Sequence, residues 1–190
     1  MSAISIYWFR DDLRLSDLPG LKAAAEAGPI IPVYILDNAL GEEWRLGGAS
    51  RWWLHHSLAA LRAALAAQGV ELILRAGDIA TNLVDLVKET GANHVYCSRH
   101  YQPWSVELET ALYESLSDKG VLLKRYPGTL LHEPEDVATG GGTPFKVFTP
   151  FWRACNRRPD PHQALPISEL TPYNGPIESE ELSDWGLLPT

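Results

Sequence analysis

The stretch Ile4-Ser5-Ile6-Tyr7-Trp8-Phe9, cut off by Arg10-Asp11-Asp12-Leu13-Arg14, decides the fold. It is a nearly continuous run of β-favouring side chains, the pattern of a strand buried on both faces, and it ends in a charged turn. The next segment reads as a helix. Ser16 and Asp17 offer N-cap oxygens, Pro19 suits the first turn, and the alanine-rich stretch stops at Gly28. The same alternation then repeats. Residues 30–36 form a second buried strand. A helix over 50–68 carries Leu54, Leu58, Leu61 and Leu65 as one stripe, with Gly69 as its C′ residue. Residues 70–74 are a third strand, and Ile79, Leu83, Leu86 and Val87 mark a helix before Gly91. Residues 94–97 are a fourth strand, and Ser105 can cap a helix with the stripe Leu108, Leu112 and Leu116. Residues 121–126 are a fifth. Strand–helix alternation implies right-handed crossovers. The expected fold is α/β: a Rossmann-like, doubly wound, five-stranded parallel sheet of order 3-2-1-4-5 with helices on both faces.

That pattern fills residues 1–130. Residues 131–190 are different: Gly140-Gly141-Gly142, then the ring-rich run Pro144-Phe145-Lys146-Val147-Phe148-Thr149-Pro150-Phe151-Trp152, then a proline-rich tail without a long periodic segment. This part reads as an interdomain linker that packs on a domain outside the chain, and the whole reads as a piece of a longer protein.

Composition narrows the function classes. At 190 residues the chain is about one domain, and 45% hydrophobic residues suffice for a core. Sixteen Lys and Arg against 24 Asp and Glu give a net charge of −8, a poor basis for clamping DNA phosphates. No direct DNA binding is expected from these residues. Cys97 and Cys155 are far apart and outside any CxxC pattern, which fits a reducing compartment. No apolar run is long enough for a membrane span, and the early Arg10-Asp11-Asp12 breaks a signal sequence, so a cytoplasmic location is expected. GxGxxG, GxxxxGK[ST], GxSxG and HExxH are all missing from the sequence.

Topology still points to a site. Ligands of open α/β sheets settle outside the carboxyl ends of the strands at the switch point, here between strands 1 and 4. Phe9 ends strand 1 and Arg10 follows it. Leu36 ends strand 2, and Asp37 and Asn38 follow it. Arg51 and Trp52 open the next helix, and Arg99, His100, Tyr101 and Gln102 follow strand 4. Flat rings beside a few polar groups suit a tricyclic ligand, and Arg51 at a helix start suits its anionic part. Structural readings stand beside these. Asp12 and Arg14 orient loops rather than contact ligand, Arg51 can simply pair with Asp37, Trp52 and Trp53 suit a core or an interface, and His100 is open to either role.

Four blocks carry a resemblance. Trp8-Phe9-Arg10-Asp11-Asp12-Leu13-Arg14-Leu15-Ser16-Asp17, Gly48-Ala49-Ser50-Arg51-Trp52-Trp53-Leu54-His55, Arg99-His100-Tyr101-Gln102-Pro103-Trp104 and Lys146-Val147-Phe148-Thr149-Pro150-Phe151-Trp152 are similar, in order, to signatures of the photolyase/cryptochrome family. The resemblance implies the N-terminal α/β domain of a light-driven enzyme that splits cyclobutane pyrimidine dimers in DNA. In that family this domain can hold a light-harvesting antenna chromophore. FAD and damaged DNA bind a helical C-terminal domain that is absent here, so repair by these residues alone is not expected. A cryptochrome-type blue-light photoreceptor is the alternative. A nucleotide-binding or electron-transfer-flavoprotein-like domain is a further one.

Gln102 stands where the family often has the Glu that helps hold a pterin. An amide lacks the charge for a strong bond to pterin N–H groups. A deazaflavin or FMN antenna is therefore favoured over methenyltetrahydrofolate, with an empty site as the remaining alternative. The implied antenna residues are those ending or following strands 1, 2 and 4 and opening the second helix: Phe9, Arg10, Leu36 and Asp37, then Arg51 and Trp52, then Arg99, His100, Tyr101 and Gln102.

Overall fold

Side chains alternate across the central strand. Tyr7 and Phe9 enter one apolar cluster and Ile6 and Trp8 the other, so the strand is buried on both sides. The computed structural model describes residues 3–37 and 46–189. Asn38 lies outside the described residues. The elements are β1 (Ser5–Phe9), α1 (Pro19–Ala27), β2 (Ile30–Leu36), α2 (Gly48–Ala66), β3 (Ile73–Ala76), α3 (Ile79–Thr90), β4 (His94–Ser98), α4 (Pro103–Ser117), β5 (Leu122–Tyr126) and α5 (Phe148–Cys155), with 3-10 turns at Pro134–Asp136 and Leu182–Trp185. The sheet is parallel with order β3-β2-β1-β4-β5, as the alternation predicts.

Helices cover both faces. The α2 stripe Leu54, Leu58, Leu61 and Leu65 is buried with Tyr7, Phe9 and Leu21 of α1. Leu83, Leu86 and Val87 of α3 and Leu112 and Leu116 of α4 bury against Ile6, Trp8, Val33 and Val95.

Three local expectations are corrected. Leu18, not Ser16 or Asp17, is the N-cap of α1, and it makes no side-chain cap. Asp17 has a left-handed φ of 54° and instead pins the tail. Its carboxylate accepts the Leu165 N–H at 3.1 Å, and its own N–H donates to the Leu165 carbonyl at 2.9 Å. Ser105 does not cap α4; its hydroxyl is buried against Arg10. Strand β3 begins at Ile73 rather than Val70, because the tail takes its place beside Ile30. The Ile30 N–H donates to the Thr171 carbonyl at 2.9 Å, and the Ile30 carbonyl accepts from Tyr173 N–H at 3.3 Å.

The tail then covers the outer edge of β3, a row of backbone groups that would otherwise be open to pairing. The Leu74 N–H donates to Ser179 Oγ at 3.0 Å and its carbonyl accepts from the Glu180 N–H at 2.8 Å. Leu170, Leu182 and Leu187 are buried in the α1–α2 cluster. The expectation that the tail packs on a domain elsewhere is thus corrected for its C-terminal half, which belongs to this core.

The ring-rich segment before it is the opposite case. Helix α5 buries no residue; Phe148 is 71% and Trp152 53% exposed, and their rings stack at 6.1 Å. The tail does not cover them. Phe148→Ser and Trp152→Ser are each expected to change stability by no more than about 0.5 kcal/mol, as exposed sites do. Urea denaturation checks this; a loss above about 1.5 kcal/mol would mean that the rings are packed within this chain.

Candidate functional site

A buried polar network fixes the turn after β1. Arg10 is 7% exposed. Its guanidinium donates to the Glu109 carboxylate of α4, to Ser105 Oγ and, at 3.1 Å, to the Ser98 carbonyl, and it lies 4.4 Å over the Trp8 ring. The other Glu109 oxygen accepts from Arg125 of β5 at 2.7 Å. Burial pushes the Glu109 carboxyl up, but the two guanidinium groups outweigh that and hold it below the usual carboxylate range. Arg10 is therefore a neutralised structural cation rather than a free anion receptor. Asp12 is buried too. It accepts from the Arg10 N–H at 3.0 Å, the Tyr7 hydroxyl at 2.9 Å and Ser98 Oγ at 2.6 Å. Arg14 donates to the carbonyls of Ser16, Asp17 and Gly128. Both residues orient loops, as their sequence context suggests.

Above this network, at the carboxyl ends of the strands, lies a cleft of about 480 Å³. Such a volume suits a small-molecule ligand. Trp8, Phe9, Arg10 and Asp11 reach it from the end of β1, and Tyr34, Ile35, Leu36 and Asp37 from β2. Arg51 comes from α2 and Ile79 from α3. His100, Trp104 and Leu108 come from the β4–α4 side, and Trp185 and Leu187 from the tail.

Among the described residues, two polar groups in this wall make no hydrogen bond. The His100 side chain is 9% exposed and neither ring nitrogen makes a hydrogen bond. Its Nε2 sits 3.3 Å from Asp11 Oδ2 without hydrogen-bond geometry. The Trp104 indole Nε1 is buried and also unpaired. Buried polar atoms normally have partners, so two orphans in one cleft point to a ligand with matching polar atoms. Burial, reinforced by the positive charge of Arg10 and opposed by Asp11, lowers the His100 pKa. The imidazole is neutral at pH 7 and so has one donor and one acceptor nitrogen. Burial, then the charges of Asp11 and Asp37, raises the Tyr34 pKa and keeps its hydroxyl protonated.

The structure brings together Phe9, Arg10, Leu36, Asp37, Arg51 and His100 of the residues expected from sequence. Trp52 is not in this wall; it is 45% exposed, with its ring 4.3 Å from His56. Arg99 turns to Glu133 at 2.7 Å and Glu135 at 2.6 Å, and the Tyr101 hydroxyl to Glu133 at 2.7 Å. Gln102 is the exposed N-cap residue of α4, its Oε1 accepting from the Tyr101 N–H at 3.2 Å. Arg51 donates to the Gly186 carbonyl at 2.7 Å. Sequence reasoning missed Tyr34, Trp104, Glu109, Trp185 and Leu187. Tyr34 and Trp104 had signals, since Tyr34 shares a strand face with Leu36 and Trp104 closes the loop after strand 4. Trp185 and Leu187 had none.

Fold and cleft together define a Rossmann-like α/β domain with a cleft at the carboxyl ends of its strands. The chain belongs to the DNA photolyase family, whose model matches residues 5–169. It is 48% identical over 187 residues to the deoxyribodipyrimidine photo-lyase of Agrobacterium fabrum, covering 97% of this chain and 38% of that protein. It is 37% identical over 163 residues to cryptochrome-1 of Arabidopsis thaliana, covering 85% of this chain and 24% of that protein. Among solved structures it is similar to a bacterial class III photolyase from Agrobacterium tumefaciens, with a TM-score of 0.92, 46% identity and coverage of 100% of this chain and 39% of that one. The chain thus spans well under half the length of these relatives. No helix among the described residues is long and apolar enough to cross a membrane.

Proposed function

We propose that this chain is the antenna-binding α/β domain of a deoxyribodipyrimidine photolyase, with a flat heteroaromatic chromophore seated in the cleft at the ends of β1, β2 and β4. The single observation that carries the reading is the pair of orphaned polar groups, on His100 and Trp104, in an aromatic cleft at the switch point of a photolyase-family sheet. The higher identity to a photolyase than to a cryptochrome supports the repair reading over photoreception.

In this reading His100 and the Trp104 N–H hold the polar edge of the ring. Tyr34, Trp8 and Trp185 supply apolar faces, and Arg51 lies where an anionic substituent would emerge. The wall excludes water from the ring. A bound chromophore supplies light absorption and hands its excitation to the FAD of a helical domain in the longer protein. Damaged DNA is the partner of that longer protein. The exposed rings of α5 are proposed to be covered by that helical domain, with residues 131–190 linking the two.

The preference for deazaflavin or FMN over methenyltetrahydrofolate rested on Gln102, which lies outside this cleft. What the cleft itself selects is a flat ring with a hydrogen-bonding edge. The test is titration of the protein with FMN, a deazaflavin and methenyltetrahydrofolate, followed by tryptophan fluorescence and difference absorption. One of the three is expected to bind. His100→Phe, which keeps a ring but removes both nitrogens, is expected to weaken it roughly 10- to 100-fold, the effect of losing one buried hydrogen bond. Absence of binding for all three at millimolar ligand, or equal affinity in His100→Phe, would contradict the reading.

A further inference from the structure

One wall of the cleft comes from the far end of the chain. Trp185 stands 6.1 Å from the Tyr34 ring, centroid to centroid, and Leu187 is buried beside it. The polar ties of the segment that carries them all lie at the surface. Arg51 reaches the Gly186 carbonyl, the Trp185 indole N–H donates to Glu180 Oε2 at 2.7 Å, and Arg62 meets Glu181 at 3.2 Å, all at exposed positions. Leu182 and Leu187 are its apolar anchors. Gly186 turns the chain between the two walls with a left-handed φ of 54°, a conformation that other residues adopt only under strain. Short terminal segments whose hydrogen bonds are exposed open locally without global unfolding.

We infer that residues 182–187 are a ligand-linked strap: Trp185 closes the cleft over the bound chromophore, and strap docking and chromophore binding stabilise each other. This rests on the antenna reading above. The physical reason is mass action. A ligand that touches Trp185 binds fully only when the strap is docked. It therefore raises the ratio of docked to undocked strap, by at most the factor 1 + [L]/Kd, and any change that undocks the strap weakens the ligand by the same coupling. Trp185 is in this sense a positioning residue supplied by the tail, and Arg51 contributes by fixing the turn at Gly186 as well as by its charge.

The experiment measures hydrogen exchange of residues 182–189 with and without each of FMN, a deazaflavin and methenyltetrahydrofolate, together with the affinity of wild type, Trp185→Ala, Trp185→Phe and Gly186→Val. At ten times Kd, exchange in the strap is expected to slow about fivefold, the undocked form binding about tenfold more weakly. Trp185→Ala is expected to weaken binding by roughly one order of magnitude and Trp185→Phe by less, because a smaller ring still covers the ligand. Gly186→Val keeps both walls but strains the turn, and is expected to weaken binding several-fold while speeding strap exchange without ligand. Circular dichroism confirms that each variant is folded. If none of the three chromophores binds wild type, the antenna reading and the strap both fall. If one binds but leaves strap exchange unchanged, or binds Trp185→Ala as tightly as wild type, the strap alone is overturned.

Discussion

Arg10→Ala is expected to destabilise the protein by about 3–5 kcal/mol, the usual effect of removing one partner from a buried ion pair. Arg10 joins three elements: its own turn after β1, Ser98 at the end of β4, and Ser105 and Glu109 in the first turns of α4. Removing it leaves the fully buried Glu109 carboxylate with Arg125 alone, whose side chain is 45% exposed, and leaves Ser105 without its donor. For a chain of this size the melting temperature should fall by roughly 6–20 °C. The double variant Arg10→Met, Glu109→Leu should recover most of the loss, because apolar groups of similar volume replace buried pairs at little cost. The same pair gives an acid signature. Glu109 titrates lower in the folded than in the unfolded protein, so its contribution is complete above about pH 5 and is lost as pH falls through its folded value. In Glu109→Gln that part of the acid sensitivity should vanish. A loss below about 1 kcal/mol in Arg10→Ala would show that Arg10 is not the joint between strand and helix.

Trp8→Ala is the second large effect, about 3–5 kcal/mol in thermal or urea unfolding. Trp8 is 2% exposed, pairs with Val33 and Cys97 in the sheet register and belongs to the cluster under α3 and α4. Its loss opens a cavity that rigid neighbours in a parallel sheet cannot fill, and it removes the ring beneath the Arg10 guanidinium. Because Trp8 also lines the cleft, chromophore affinity should fall with stability. Trp8→Phe should retain more than half of the stability, since most of the apolar volume remains. Equal stability of Trp8→Ala and wild type would contradict this packing.

The fold was legible because its signal is local. Runs such as Ile30–Leu36 and the four-leucine stripe of α2 carry their own periodicity, and the alternation of the two restricts topology to few choices. Cap assignments failed where a distant segment competes. Asp17 and Ser105 have the composition of N-caps, but Leu165 and Arg10 take their side chains. The start of β3 failed for the same reason, since residues 171–173 satisfy Ile30.

The site was half legible. Residues at the ends of β1 and β2 follow from topology, and His100 from the loop after β4. Arg99, Tyr101 and Gln102 share that loop, yet Glu133 and Glu135, across a stretch with no periodicity, draw the first two away. Trp185 was out of reach, because nothing in a proline-rich tail indicates that it returns to the sheet.

The most direct test of the cleft as the antenna site is a crystal structure of the protein with whichever of FMN, deazaflavin or methenyltetrahydrofolate binds it. The ring is expected against the faces of Tyr34, Trp8 and Trp185, with ring heteroatoms within hydrogen-bond distance of His100 and the Trp104 N–H. A ring seated instead against Tyr101, Gln102 and Glu133, with His100 and Trp104 still unpartnered, would contradict it.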